Sequence, residues 1–270
     1  MRNLLCADLN RVRKDRLFTW IIVLAVVFGL IPLIAFGISC FKLDATQLAL
    51  RRGSVDIKRD VLATMQMNDL LNYLAIIMVA MILHKDFGQG IIRNKLITGK
   101  SRVSVMLSMF ATALIAIVSI AFTYALVMTG GNLVIRGFKD LAFSREAFWP
   151  FLRDLALSLN VFLFVAALVT YICVSSKNGG GVTMKYIATT TAVSILVMQL
   201  AVIGTAVDGG AKFHKVLEFI DHINVFGYNA RIGMGSYEKK ELAYLIATPP
   251  ILSGMLLTLG WLKLSKKEIK

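Results

Sequence analysis

Residues 17–41, LFTWIIVLAVVFGLIPLIAFGISCF, run for twenty-five positions without a charged side chain. A helix rises about 1.5 Å per residue, so roughly 20 apolar residues cross the hydrocarbon of a bilayer. The stretch is long enough to do so, and too long for the apolar core of a cleavable leader. Pro32 near its middle is a kink that neighbouring helices can accommodate. Working outward, further apolar blocks follow at about 61–83, 103–129, 155–174, 186–207 and 242–262. The chain as a whole is 57% hydrophobic and 17% charged, against about 45–50% and about 25% in soluble domains. Together these observations predict an all-α membrane protein, one transmembrane domain over residues 1–270 with six transmembrane helices.

The formal net charge of +14 does not point to nucleic acid, because Lys and Arg flank the apolar blocks and form no basic–aromatic stripe or compact basic domain. Lipid headgroups are the expected counter-charge. With the N-terminus inside, the inner segments 1–16, 84–102, 175–185 and 263–270 hold 16 basic residues in 54 positions, and the outer segments 14 in 77. That asymmetry predicts both termini in the cytoplasm. Trp20 and Trp261 fall at inner ends of spans and Trp149 near an outer end, as an interfacial aromatic belt requires.

Residues 1–16 read either as an amphipathic helix on the membrane surface, with Leu5, Leu9 and Val12 at helical spacing, or as a basic flank. The 34-residue connection 208–241 is too long for a turn. Phe213, Val216, Leu217, Ile220 and Ile223 space out as a short surface or re-entrant helical segment before the sixth span.

Few side chains suggest chemistry. Cys6, Cys40 and Cys173 are scattered, which argues against a disulfide or zinc site. His84, His214 and His222 lack a second ligand at i+4, so no metal site is expected. Asp221-His222 has no accompanying nucleophile, and no catalytic residue is assigned. Met65, Met67, Met78 and Met81 read as packing or pathway lining. Asn160 and Gln199 suit interhelical hydrogen bonds. Asn68, Asp69 and Asn72 in the second block are a possible pathway lining, Asp69 being the carboxylate expected inside a span.

The connection after the second block, HKDFGQGIIRNKLITGKSR at 84–102, is the most informative. Gly99-Lys100-Ser101 resembles the end of a phosphate-binding loop, but position 94 is Asn where the first glycine belongs, and no strand precedes it. Ile91, Ile92, Lys95 and Leu96 space out as a short helix between Gly88/Gly90 and Gly99. Asp86, Arg93, Lys95, Lys100 and Arg102 on such a helix suit docking of a soluble partner; a basic loop that enforces topology is the alternative. An acidic residue, then Phe-Gly, then GIIRNKLITGKSR directly after the second span resembles the cytoplasmic segment of ABC type-2 permeases, the membrane subunits of ATP-driven exporters. Asp86 stands where Glu is common in that family.

The resemblance extends to the surface helix, the six spans and the inside termini. It implies that Asp86, Phe87, Gly88, Gly90, Ile91, Arg93, Asn94, Lys95 and Arg102 form a segment coupling the chain to a separate ATPase subunit. ATP and Mg would be held there, with no cofactor on this chain. It further implies a second permease copy as homodimer partner, a bacterial plasma membrane, and export of an amphipathic or hydrophobic substrate such as a peptide. An ion-coupled secondary transporter is the other transport reading; it needs ionisable residues near the midplane, where the sequence offers only Asp69.

Overall fold

A computed structural model describes residues 2–40, 61, 62, 64, 70–136, 145–206, 219, 220, 223–234, 237 and 241–266. Among these residues there is no strand. The helices are α1 (Arg2–Lys14), α2 (Arg16–Cys40), α3 (Leu70–Gly88), α4 (Ile91–Ile97), α5 (Arg102–Arg136), α6 (Arg145–Ser175), α7 (Gly179–Ala206), α8 (Val225–Met234) and α9 (Leu242–Lys266). Among the described residues five stretches are long and apolar enough to cross a membrane: Arg16–Ala35, Leu71–Gly88, Arg102–Gly131, Phe148–Ser175 and Leu242–Lys266. The expected fifth block, 186–207, lies mostly within α7.

Several boundaries move relative to the apolar blocks. The second block was expected to stop at 83, yet α3 continues to Gly88. His84 and Asp86 are buried there, and partners from other helices stand in for water: His84 Nδ1 lies 3.4 Å from the Cys173 carbonyl, and Asp86 meets Arg11. The fourth block was expected to begin at 155, but α6 starts at Arg145 and takes in Pro150, Arg153 and Asp154. Of the amphipathic stripe before the sixth span, 213, 216 and 217 lie outside the described residues. The described helix there is α8, further along the chain. It buries Val225, Tyr228 and Ile232, spaced three and four apart on one face.

α5 is the hub, packing on α1, α2, α3, α4, α6 and α9, while α6 pairs along its length with α9. The core lies where α3, α5 and α6 meet, around Ile76, Leu83, Met109, Ile117, Phe162 and Val169. α2 approaches α5 at two glycines. A methyl group at Gly29 would sit 2.7 Å from Val127 Cγ1, and one at Gly131 would collide with Leu33. Small residues of this kind let helix backbones close up where lipid supplies no hydrophobic drive.

Ion pairs Lys85–Asp15 and Lys95–Asp8 and the Arg102 hydrogen bonds to Leu264 and Ser265 gather residues 8–15, 85–102 and the end of α9. These residues make up the α4 end of the bundle. Trp20 and Trp261 lie toward it and Trp149 toward the opposite end, and all three are exposed.

Candidate functional site

The segment from His84 to Arg102 is built by glycine stops and hydroxyl starts. Gly90 precedes α4 with φ +67 and Gly99 follows it with φ +81, a left-handed geometry in which a Cβ is strained. At the end of α4 the Gly99 amide donates to the Leu96 carbonyl at 3.0 Å, and the Lys100 amide to Lys95 at 3.2 Å. This is the Schellman pattern that closes a helix on a glycine. Ser101 then opens α5: its Oγ accepts the Ser104 amide at 3.1 Å, a serine N-cap. Gly99-Lys100-Ser101 is thus a helix stop followed by a helix start.

Beneath α4 lies a network of charges. Lys95 Nζ donates to Asp8 Oδ1 at 2.6 Å and stands 3.7 Å from Asp86 Oδ2. Arg11 pairs with Asp86. Ser108 Oγ of α5 donates to the other oxygen of Asp8 at 2.6 Å. Asp8 is 4% exposed and Asp86 fully buried, so neither carboxylate relies on water. Beside them Asp15 works twice. Its Oδ1 accepts the Leu17 amide at 2.9 Å, capping α2, and its carboxylate binds Lys85 at 2.8 Å.

Asp8, Asp15 and Asp86 therefore balance Arg11, Lys85 and Lys95, and the network binds α1 to α3, α4 and α5. Burial pushes the Lys95 ammonium below its ordinary value, with Arg11 adding to the effect against the opposing pull of Asp8. Burial lowers Arg11 likewise, opposed by Asp8 and Asp15. For Asp15 burial acts upward, but the hydrogen bonds from Lys85 and the Leu17 amide, with the charges of Lys85 and Arg11, outweigh it and leave its carboxyl below the usual range.

The expected coupling residues divide into two groups. Asp86 and Lys95 face inward into the network, Phe87 packs on the core and stacks with His84 at 5.7 Å, and Ile91 is half-buried. Arg102 is also occupied, its Nη1 lying 2.5 Å from the Leu264 carbonyl and 2.7 Å from that of Ser265. Gly88 and Gly90 frame the turn into α4. Arg93, Asn94 and Lys100 are exposed, as is Ile97 at 71%, while Ile92 is fully buried. α4 is thus mounted on one side and free on the other.

Of the possible pathway residues, Asn68 and Asp69 lie outside the described residues. Asn72 is buried and donates to the Thr64 carbonyl at 2.8 Å.

Sequence reasoning missed Asp8 and Arg11. The stripe expected to lie on the membrane surface was Leu5, Leu9 and Val12; the face of α1 buried against the other helices is Leu4, Asp8 and Val12, with a carboxylate in its centre. It also missed Asp154, which is buried in α6 within the apolar stretch Phe148–Ser175. Tyr237 donates its hydroxyl to Asp154, and Arg153 Nη2 pairs with it at 3.0 Å. Tyr237 is the signal that could have been used, since it lies in the connection returning to α9.

Between α5 and α6 runs a groove of about 560 Å³, walled by Leu114, Val118, Leu159 and Leu163 with Ser119 and Asn160. Among the described residues no three His, Cys, Asp or Glu side chains gather closely enough to hold a metal ion. A scan of protein-family models finds none that matches this chain, and a search of curated proteins finds no match either.

Proposed function

We propose that this chain is the permease subunit of an ATP-driven exporter, moved by a separate ATPase subunit that grips α4. The observation that carries the reading is the mount of α4. Its inner side is fixed by Ile92 and by the Lys95–Asp8 pair, while Arg93, Asn94, Ile97 and Lys100 are free. A push on that knob passes through Asp8 and Asp86 into α1 and α3 as one rigid unit, the kind of lever a two-state bundle requires.

The basic-residue asymmetry supports a cytoplasmic α4 end, and the family resemblance supports a bacterial plasma membrane. α7 completes six spans, and α1 lies along the inner surface. ATP and Mg belong to the partner, and a second copy of the chain completes the pathway. The cargo is an amphipathic or apolar molecule, a peptide by the resemblance of the compact layout to peptide exporters.

The test uses proteoliposomes holding the chain with an ATPase subunit that co-purifies with it. Arg93→Glu and Ile97→Glu are expected to weaken docking and lower transport-linked ATP hydrolysis about tenfold, equivalent to about 1.4 kcal/mol, while the thermal midpoint stays unchanged. Undiminished hydrolysis in both variants removes the docking claim. Ion-coupled transport remains as a second reading because Asp154 places a buried carboxylate within an apolar stretch. Uptake or efflux by the purified chain alone, driven by a proton gradient without nucleotide and lost in Asp154→Asn, would favour it instead.

A further inference from the structure

α9 carries Pro249 and Pro250 in its interior. A proline has no amide hydrogen, so in a regular helix each leaves the carbonyl four residues earlier without its partner. Those carbonyls belong to Leu245 and Ile246. Asn160 of α6 points its side-chain amide at this pair: Nδ2 donates to the Leu245 carbonyl at 3.0 Å and to that of Ile246 at 3.0 Å. One amide from a neighbouring helix replaces both missing donors. In hydrocarbon there is no water to do so.

Just beyond, Ser253 Oγ donates back to the Pro249 carbonyl at 2.6 Å, a bond of the kind that bends helices. The two halves of α9 are held differently. Toward the α4 end, Arg102 binds the carbonyls of Leu264 and Ser265, Lys263 reaches the Tyr171 hydroxyl at 3.0 Å, and Leu264 is fully buried. The half before the prolines is fixed to α6 through Asn160 and the buried Leu245.

We propose that α9 is hinged at Pro249–Pro250 and that Asn160 is the latch of the hinge. With its amide across both carbonyls, the half from Leu242 to Pro250 lies against α6. Withdrawal of the amide leaves two carbonyls unsatisfied and lets that half swing while the α4-end half stays anchored. The inference rests on the proline spacing and the two hydrogen bonds, and holds whether or not the chain is an exporter.

The test is a cycle in which the prolines are the control. The full chain, freed of native cysteines and placed in nanodiscs, carries spin labels at Leu126→Cys and Tyr244→Cys for the swinging half, or at Val103→Cys and Leu262→Cys for the anchored half. Asn160→Leu is expected to lower the thermal midpoint by about 5 °C and to broaden the first distance distribution without changing the second. Pro249→Ala with Pro250→Ala restores the two amide donors, so in that background Asn160→Leu should change neither midpoint nor distances.

An equal loss in both backgrounds makes Asn160 a packing residue and overturns the latch, as does movement of the Val103–Leu262 pair. Should Asn160→Leu not fold, the double alanine variant still decides. A narrowed Leu126–Tyr244 distribution supports the hinge, and an unchanged one removes it.

Discussion

The two ends of the bundle handle buried charge in different ways. At the α4 end, three carboxylates and three cations come from α1, α3, α4 and the turn before α2, and the Lys85–Asp15 and Lys95–Asp8 pairs join residues 70 and 87 positions apart. At the opposite end Asp154 is held by its own chain neighbour Arg153 and by Tyr237. The first arrangement locks four helices into one body. The second ties one helix to the connection before α9. The contrast teaches where force can travel: a load on α4 is shared at once, whereas at Asp154 the charge contacts described tie α6 to Tyr237. It also shows that Lys95, basic and close to the exposed face, already belongs to the lock.

The contrast is broken most directly at Asp86. Its carboxylate sits in the last turn of α3, where the helix dipole disfavours a negative charge, and Arg11 and Lys95 hold it there. Asp86→Asn leaves two partly buried cations without that partner, a loss of about 3–5 kcal/mol. The thermal midpoint in detergent should fall by roughly 2–4 °C for each kcal/mol. A fall no larger than that of an exposed substitution such as Arg93→Gln would mean that the lock does not carry the end.

A smaller effect is expected at Asp15. Asp15→Ala removes an N-cap, worth about 1 kcal/mol, and a partly exposed pair with Lys85 worth about 0–1 kcal/mol. Because the carboxyl is held below its ordinary value, its contribution is complete above about pH 4 and fades as pH falls further. The gap between wild type and Asp15→Ala should therefore narrow on acidification. A gap that widened toward low pH would contradict the pairing.

The apolar blocks were legible because a charge-free run of the necessary length has few other uses, and α2 over Arg16–Cys40 nearly coincides with residues 17–41. The α4 helix was legible too, since glycines bracketed it. Helix ends were harder. Hydropathy marks where the hydrocarbon begins, whereas α6 begins ten residues before the expected block and α3 ends five residues after its own, both on hydrogen bonding that polar residues support equally well.

The network escaped for a different reason. Asp8 on a basic, amphipathic segment looks like a solvated side chain until Lys95 and Ser108 arrive from 87 and 100 residues away, and no local spacing encodes that meeting. Asn160 was legible as an interhelical donor, but its acceptors follow only when Pro249 and Pro250 are brought alongside.

The smallest expected change is at the Asp154–Tyr237 contact, and it runs with pH in the opposite direction. Burial, the hydrogen bond to Asp154 and the charge of that carboxylate push the Tyr237 hydroxyl up to about 12, with Arg153 pulling the other way. A raised value means that the protonated hydroxyl is favoured in the folded chain. Its contribution is complete below about pH 10, the ordinary tyrosine value, and is lost as pH climbs from there toward 12.

Tyr237→Phe keeps the ring that Arg153 faces at 5.4 Å and deletes the donor alone, for a loss of about 1 kcal/mol near neutral pH. Lysines elsewhere also titrate in alkali, but they do so in both proteins. The difference between wild-type and Tyr237→Phe midpoints isolates the hydroxyl: it should hold steady from pH 6 to pH 9 and shrink between 10 and 12. A difference that stayed flat through that window would separate Tyr237 from Asp154 and leave the far end held by packing.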